Sequence, residues 1–139
     1  MNIRRGHIWL ANLNPTLGTE IQKTRPVVAV NSDEIGVLPI RLIAPITEWK
    51  DSFAGNVWHV RLEPNIINGL TKASAVDTLQ LRGIDTRRFV RKIGEVSPSI
   101  MQLIVTAIAT VIEYEPILTQ KVSTPRTSLI LSILPSCQS

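Results

Sequence analysis

The chain has 139 residues, with 15 Lys and Arg against 11 Asp and Glu and a formal net charge of +4. At 44% hydrophobic and 19% charged, it has the composition of a single globular domain and not of a disordered chain. The lone cysteine, Cys137, excludes a disulfide-stapled scaffold, and no apolar run reaches the roughly 18 residues that a membrane span needs.

Arg4 and Arg5 have no signal-peptide core behind them, so the expectation is a soluble, cytoplasmic protein. Residues 7–13 are apolar and β-favouring and stop at Asn14-Pro15, which predicts a first strand. Residues 26–30 form a short β-branched run that reads as a strand buried on both faces. The polar stretch 31–36 reads as a turn. Residues 40–46 predict a third strand, with Pro45 marking an edge or a bulge. After a loop over 47–55, residues 56–62 predict a fourth strand, and 73–81 and 89–96 carry weaker strand signals. Trp9 and Trp58 fall inside strand runs and are expected in the core.

Ser97 suits a helix N-cap and Pro98 the first helical position, where its missing N–H costs nothing. Behind them Ile100, Leu103, Ile104, Ala107, Ile108 and Val111 recur at helical spacing and predict one apolar stripe. Short strands followed by one packed helix predict a mainly β protein, a small curved sheet or barrel closed by a helix. Residues 115–139, rich in Ser, Thr, Pro, Leu and Ile, read as an appendage, loosely ordered or adding one strand through 129–134.

No G-x-G-x-x-G, P-loop, H-E-x-x-H or G-x-S-x-G is present, and His7 and His59 lack spaced acidic partners. The starting expectation is therefore chemistry without cofactor or metal, or none. Segment 14–26 is long for a strand connection and delivers Arg25 to the mouth of the second strand. Arg25 has two readings: an ion pair with Glu20 or Glu48, or a planar guanidinium aimed at a phosphate. Arg82, Arg87, Arg88, Arg91 and Lys92 form a basic run, either a solvated face or a surface for RNA or an acidic partner.

The string from Arg5 to Thr16, then Gly18-Thr19-Glu20 and Thr24-Arg25-Pro26-Val27-Val28, is followed by Ala44-Pro45-Ile46-Thr47. Gly69-Leu70-Thr71-Lys72, Gln80, Ile84-Asp85, Arg88 and Lys92-Ile93-Gly94 follow in order. Together these resemble the MazF/PemK toxin family over residues 3–114, making 1–114 the toxin-like domain and 115–139 an extension. Thr47-Glu48-Trp49-Lys50 and Phe53-Ala54-Gly55 are similar to the branch with a tryptophan in that loop. The resemblance implies a Src-homology-3-like β-barrel with a C-terminal helix, working as a homodimer. It implies the toxin of a type II toxin–antitoxin pair, a sequence-selective endoribonuclease acting on single-stranded RNA. A cognate antitoxin would fold an acidic segment over the RNA groove, and operator DNA would be reached only through that complex.

By the same resemblance the catalytic arginine falls on Arg25 and the catalytic threonine on Thr47. Without a metal, RNA is cut by its own 2′-hydroxyl, and the protein supplies in-line positioning and charge stabilisation on the phosphorane. Arg25 suits the second task and Thr47 the first. Glu20 is the candidate general base or the residue that orients Arg25, against a plain loop role. Lys23, Thr24, Asn12 and Gln80 are candidate RNA contacts. Trp49 reads equally as a base-stacking platform or as a plug of the barrel end.

Three positions depart from the family pattern. His7 stands where Asp or Glu is usual, Lys23 where glycine is common, and Leu79 where many relatives place Asp. Two other classes stay open. The CcdB gyrase poisons share the fold but act through a C-terminal Trp-Gly-Ile, whereas Ser136-Cys137-Gln138-Ser139 closes this sequence. The other is a non-catalytic RNA- or protein-binding relic.

Overall fold

Alternation of apolar side chains puts a core on each side of one sheet. In a computed structural model that describes residues 2–117, seven strands precede one helix. They are β1 (His7–Asn12), β2 (Thr24–Ala29), β3 (Ile40–Glu48), β4 (His59–Leu62), β5 (Ser74–Asp77), β6 (Arg82–Asp85) and β7 (Phe89–Glu95), followed by α1 (Pro98–Val111). Ile8, Val28, Ala44, Ile46 and Val76 face α1, while Trp9, Ala11, Val27, Ala29 and Ile43 face a second cluster closed by Ile84 and Phe89. The β2 run is thus buried on both faces, as its unbroken apolar pattern predicts.

The strands run in the order β4-β5-β3-β2-β1-β7, with β6 against β3 and every pairing antiparallel. Strand β3 bends across three neighbours: β6 through residues 40–43, β2 through 43–45 and β5 through 46–48. The last change of partner comes immediately after Pro45, which is buried inside β3 and paired with Val27 instead of ending the strand at an edge or bulge; Thr47 and Glu48, expected in a loop, continue the strand.

The fold class is as expected, mainly β with a single C-terminal helix, but the hydrogen-bonded strand path does not close between β4 and β7. A turn at 65–69 spans that gap, and its Ile67 carbonyl accepts the Glu95 N–H at 3.0 Å. A Cβ at Gly69 would collide with the Ile93 carbonyl, and one at Gly94 with the backbone of Asn68. Both glycines are therefore dictated by backbone meeting backbone across the seam.

The helix begins where its cap predicts, with Ser97 Oγ accepting the Ile100 N–H at 3.2 Å and Pro98 following. Its buried centre is Met101, Ile104 and Ala107, flanked by Ile100, Val105 and Ile108. Leu103, expected in the stripe, is 55% exposed, because the helix rests on the sheet about one position away from the pattern's centre. Burying Ile104 alone is worth about 2–3 kcal/mol of transfer free energy.

Three further expectations change. The fourth strand begins at His59, so Trp58 lies half-buried in the preceding turn instead of the core, its carbonyl accepting from Thr78. The 73–81 signal resolves into β5 and a 3-10 turn, Thr78–Gln80. Strand β6, too short and polar to signal itself, forms only because β3 offers it an edge. Trp9 is in the core as expected, edge-on to Phe89 at 5.9 Å. Residues 118–139, including the 129–134 run and Cys137, lie outside the described residues.

Candidate active-site cleft

Two residues beyond the Val27–Pro45 pair, in opposite chain directions, stand Arg25 at the start of β2 and Thr47 near the end of β3. Antiparallel pairing brings them to one cleft of about 300 Å³. Lys50, Lys72 and Glu48 share its lining, together with Thr71 and Ser74. Three cations around one small cavity make an anion site, and the Thr47 hydroxyl adds a neutral donor and acceptor. Lys50 and Lys72 stand in the strings that carry the resemblance, but neither is among the site residues expected from the sequence. Those strings were the one signal that could have found them, since neither lysine has a pattern of its own.

Arg25 is exposed, and its Nε donates to the Gln22 carbonyl at 3.4 Å. Neither acidic partner considered for it holds it: Glu48 Oε2 lies 3.2 Å from Lys72 Nζ, and Glu20 Oε1 accepts the Leu17 N–H at 2.5 Å. Glu20 does not line the cleft, and its carboxylate caps a turn of its own loop.

None of the candidate RNA contacts lines the cleft. Asn12 and Thr24 pair across β1 and β2, and Asn12 Oδ1 accepts the Asn14 N–H at 3.0 Å. Lys23 has φ of +70°, in the left-handed region where glycine is at ease, and its backbone bonds to Leu13 and Asn14 hold it there. Gln80 is committed at both ends of its amide: Oε1 accepts the Ile21 N–H at 2.6 Å and Nε2 donates to Asp77 Oδ2 at 3.1 Å. Trp49 carries the Arg61 guanidinium 4.6 Å above its ring and meets the edge of Phe53 at 5.8 Å. Phe53 in turn stacks on His59 at 3.8 Å. The loop beside Thr47 is thus braced by an aromatic stack.

The basic run is largely spent on structure. Arg82 donates to the Leu13 carbonyl at 3.3 Å, and Arg88 to the carbonyls of Asn12 and Asn14. Arg87 forks onto Asp85 at 3.0 and 3.1 Å, which holds the Asp85 carboxyl below its usual range, and Lys92 meets Glu95 at 3.2 Å. Two of these arginines therefore anchor the base of the loop that leads to Arg25.

Neither histidine lines the cleft. The His59 side chain is 6% exposed, with Nδ1 beside Asn56 Nδ2 at 3.1 Å and Nε2 3.7 Å from Asp77. Burial lowers its pKa against the opposing pull of Asp77. Burial, then Lys92, likewise lowers that of His7, whose Nδ1 accepts the Arg4 N–H at 3.1 Å. Its Nε2 faces Glu95 at 3.9 Å. Among the described residues no cluster of His, Cys, Asp or Glu has the grouping of a metal site, and no helix is long and apolar enough to cross a membrane.

Comparison with known proteins fits this arrangement. The chain is 31% identical over 105 residues to the endoribonuclease MazF9 of Mycobacterium tuberculosis, covering 68% of this chain and 83% of that protein. Its fold matches crystalline MazF from Deinococcus radiodurans with a TM-score of 0.68 at 19% identity, over 80% of this chain and 96% of that one. It also matches a mycobacterial endoribonuclease solved in complex with its cognate antitoxin, with a TM-score of 0.64 at 18% identity, over 81% and 96%. The model of the PemK-like, MazF-like toxins of type II toxin–antitoxin systems spans residues 4–112, and the chain belongs to that family.

Proposed function

We propose that this protein is an endoribonuclease toxin that cuts single-stranded RNA at selected sequences, by attack of the RNA's own 2′-hydroxyl on the adjacent phosphorus. One observation carries the reading: Arg25 and Thr47 line a single cleft that also holds Lys50 and Lys72. The attack needs in-line geometry and a partner for the charge that grows on the non-bridging oxygens. The Arg25 fork supplies paired hydrogen bonds to those oxygens. The Thr47 hydroxyl holds the phosphate or the 2′-oxygen in line. The products are a 2′,3′-cyclic phosphate and a 5′-hydroxyl, so DNA is not cut and no metal is required.

Lys23 and Thr24 track the RNA backbone beside Arg25, and Trp49 offers a stacking surface once Arg61 leaves its ring. Asn12 and Gln80 shape this surface through the loop that they hold. The same cationic cleft suits an acidic segment of a cognate antitoxin, a partnership seen for the mycobacterial neighbour. The working unit is residues 1–114, acting as a homodimer in the cytoplasm and meeting operator DNA only through the antitoxin.

The test incubates the protein with mixed-sequence RNA in EDTA, beside Arg25→Ala and Thr47→Ala. Cleavage by the wild type with a loss of about 10²-fold or more in each variant is expected. Equal cleavage by all three proteins would overturn the roles of Arg25 and Thr47, and an inert wild type would favour the binding relic.

A further inference from the structure

Arg25 and Thr47 leave the proton of the 2′-hydroxyl and the proton for the leaving oxygen without carriers. We propose that Glu48 and Lys72 are that pair, Glu48 the general base and Lys72 the general acid. The inference rests on the ribonuclease reading and deepens it.

Geometry selects them. Glu48 is the carboxylate in the cleft lining, next in sequence to Thr47, whereas Glu20 lies outside with its oxygen on the Leu17 N–H. Antiparallel pairing of the end of β3 with β5 sets Glu48 opposite Ser74, and Lys72, two residues before Ser74, reaches back to it at 3.2 Å. Both side chains are more than half exposed, so neither is locked away from a substrate. The groups that face Glu48 are Lys72 itself, Arg25 from β2 and Lys50 from the following loop, all cationic. Arg61 from β4 lies over the neighbouring Trp49.

The chemistry balances. In-line attack sets the two oxygens on opposite sides of phosphorus, so the bound phosphate parts these two exposed side chains, and Glu48 takes the 2′-hydroxyl proton as that oxygen bonds to phosphorus. The bond from phosphorus to the 5′-oxygen breaks, and that oxygen takes a proton from the Lys72 ammonium. An alkoxide is far more basic than an amine, so this transfer runs downhill. When the products leave and the 3.2 Å contact re-forms, the carboxylic acid of Glu48 returns its proton to the neutral amine of Lys72 and the cleft is reset. An exposed ion pair is by itself of little consequence for stability. It is the position between Thr47 and the cleft's cations that gives this one a chemical task.

The experiment compares wild type, Glu48→Gln, Lys72→Met and Lys72→Arg on an ordinary RNA and on one whose scissile 5′-oxygen is replaced by sulfur, a leaving group that needs no proton. Glu48→Gln is expected to lower kcat by about 10²-fold or more on both substrates. Lys72→Met is expected to lose a similar factor on the oxygen substrate and to regain it on the sulfur substrate. Lys72→Arg, which keeps the charge but not the acid, is expected to behave as Lys72→Met does. Wild-type rates in Glu48→Gln, or full activity in Lys72→Arg on the oxygen substrate, would overturn this assignment while leaving the ribonuclease reading intact. No cleavage by the wild type on either substrate would overturn both.

Discussion

The side-chain amide of Gln80 joins two distant segments: its oxygen accepts the backbone N–H of Ile21 at 2.6 Å, across 59 positions of sequence. Its nitrogen is held by Asp77, whose other oxygen caps the 3-10 turn at the Leu79 N–H. Asp77 also faces His59, so a polar chain runs from the aromatic brace beside Trp49 to the loop that delivers Arg25. Gln80→Met keeps the length and removes both bonds. Amide exchange at Ile21 should rise, stability should fall by about 1 kcal/mol, and RNA cleavage should fall with it. Unchanged exchange at Ile21 would show that the clamp does not hold the loop.

The backbone of Lys23 gives a prediction with two opposite signs. A non-glycine residue at φ of +70° costs roughly 1–2 kcal/mol, of which a glycine's extra freedom in the unfolded chain takes back about half. Lys23→Gly should therefore raise Tm by about 2–5 °C in a domain of this size. The same change removes a cation beside Arg25, so the salt dependence of RNA binding should become shallower. Calorimetry and binding titrations at several salt concentrations read the two effects separately.

At the seam between β7 and the 65–69 turn, added atoms have nowhere to go. Gly94→Ala places a Cβ against the Asn68 backbone and should cost about 2–3 kcal/mol in urea unfolding. Gly55→Ala, where a Cβ meets nothing, serves as the control and should stay within about 0.5 kcal/mol of wild type.

Both histidines have folded-state pKa values pushed below the ordinary value by burial. The unfolded chain therefore binds more protons than the folded one as pH falls through about 6.5. Stability is full above that value and declines below it. Tm should drop between pH 7.5 and 5.5, and the drop should shrink in His59→Gln and more so with His7→Asn added. A slope that survives the double substitution would place its origin elsewhere.

The stretches that were legible in the sequence are those fixed by near neighbours. Alternation along β1 and β2 gives their position because a pleated strand sorts its side chains by parity. The Ser97-Pro98 start of α1 is readable because a cap is a local hydrogen bond. What failed depended on how the elements dock. Leu103 fits the stripe by spacing, yet the sheet beneath α1 rests on Met101 instead, and β6 carries no pattern of its own.

Arg25 and Thr47 stood out by pattern alone, because their neighbours in sequence carry the resemblance. Which charges are free to act was settled by the tertiary structure. Arg82, Arg87 and Arg88 read as a solvated face or a binding surface and are occupied with carbonyls and with Asp85, whereas Lys50 and Lys72, given no site role by the sequence, share the cleft. Glu48, and not Glu20, lines the cleft for the same reason. The bend of β3 past Pro45 and its pairing with β5 bring Glu48 to Lys72, 24 positions away, and such a contact depends on register and closure, which no local pattern encodes.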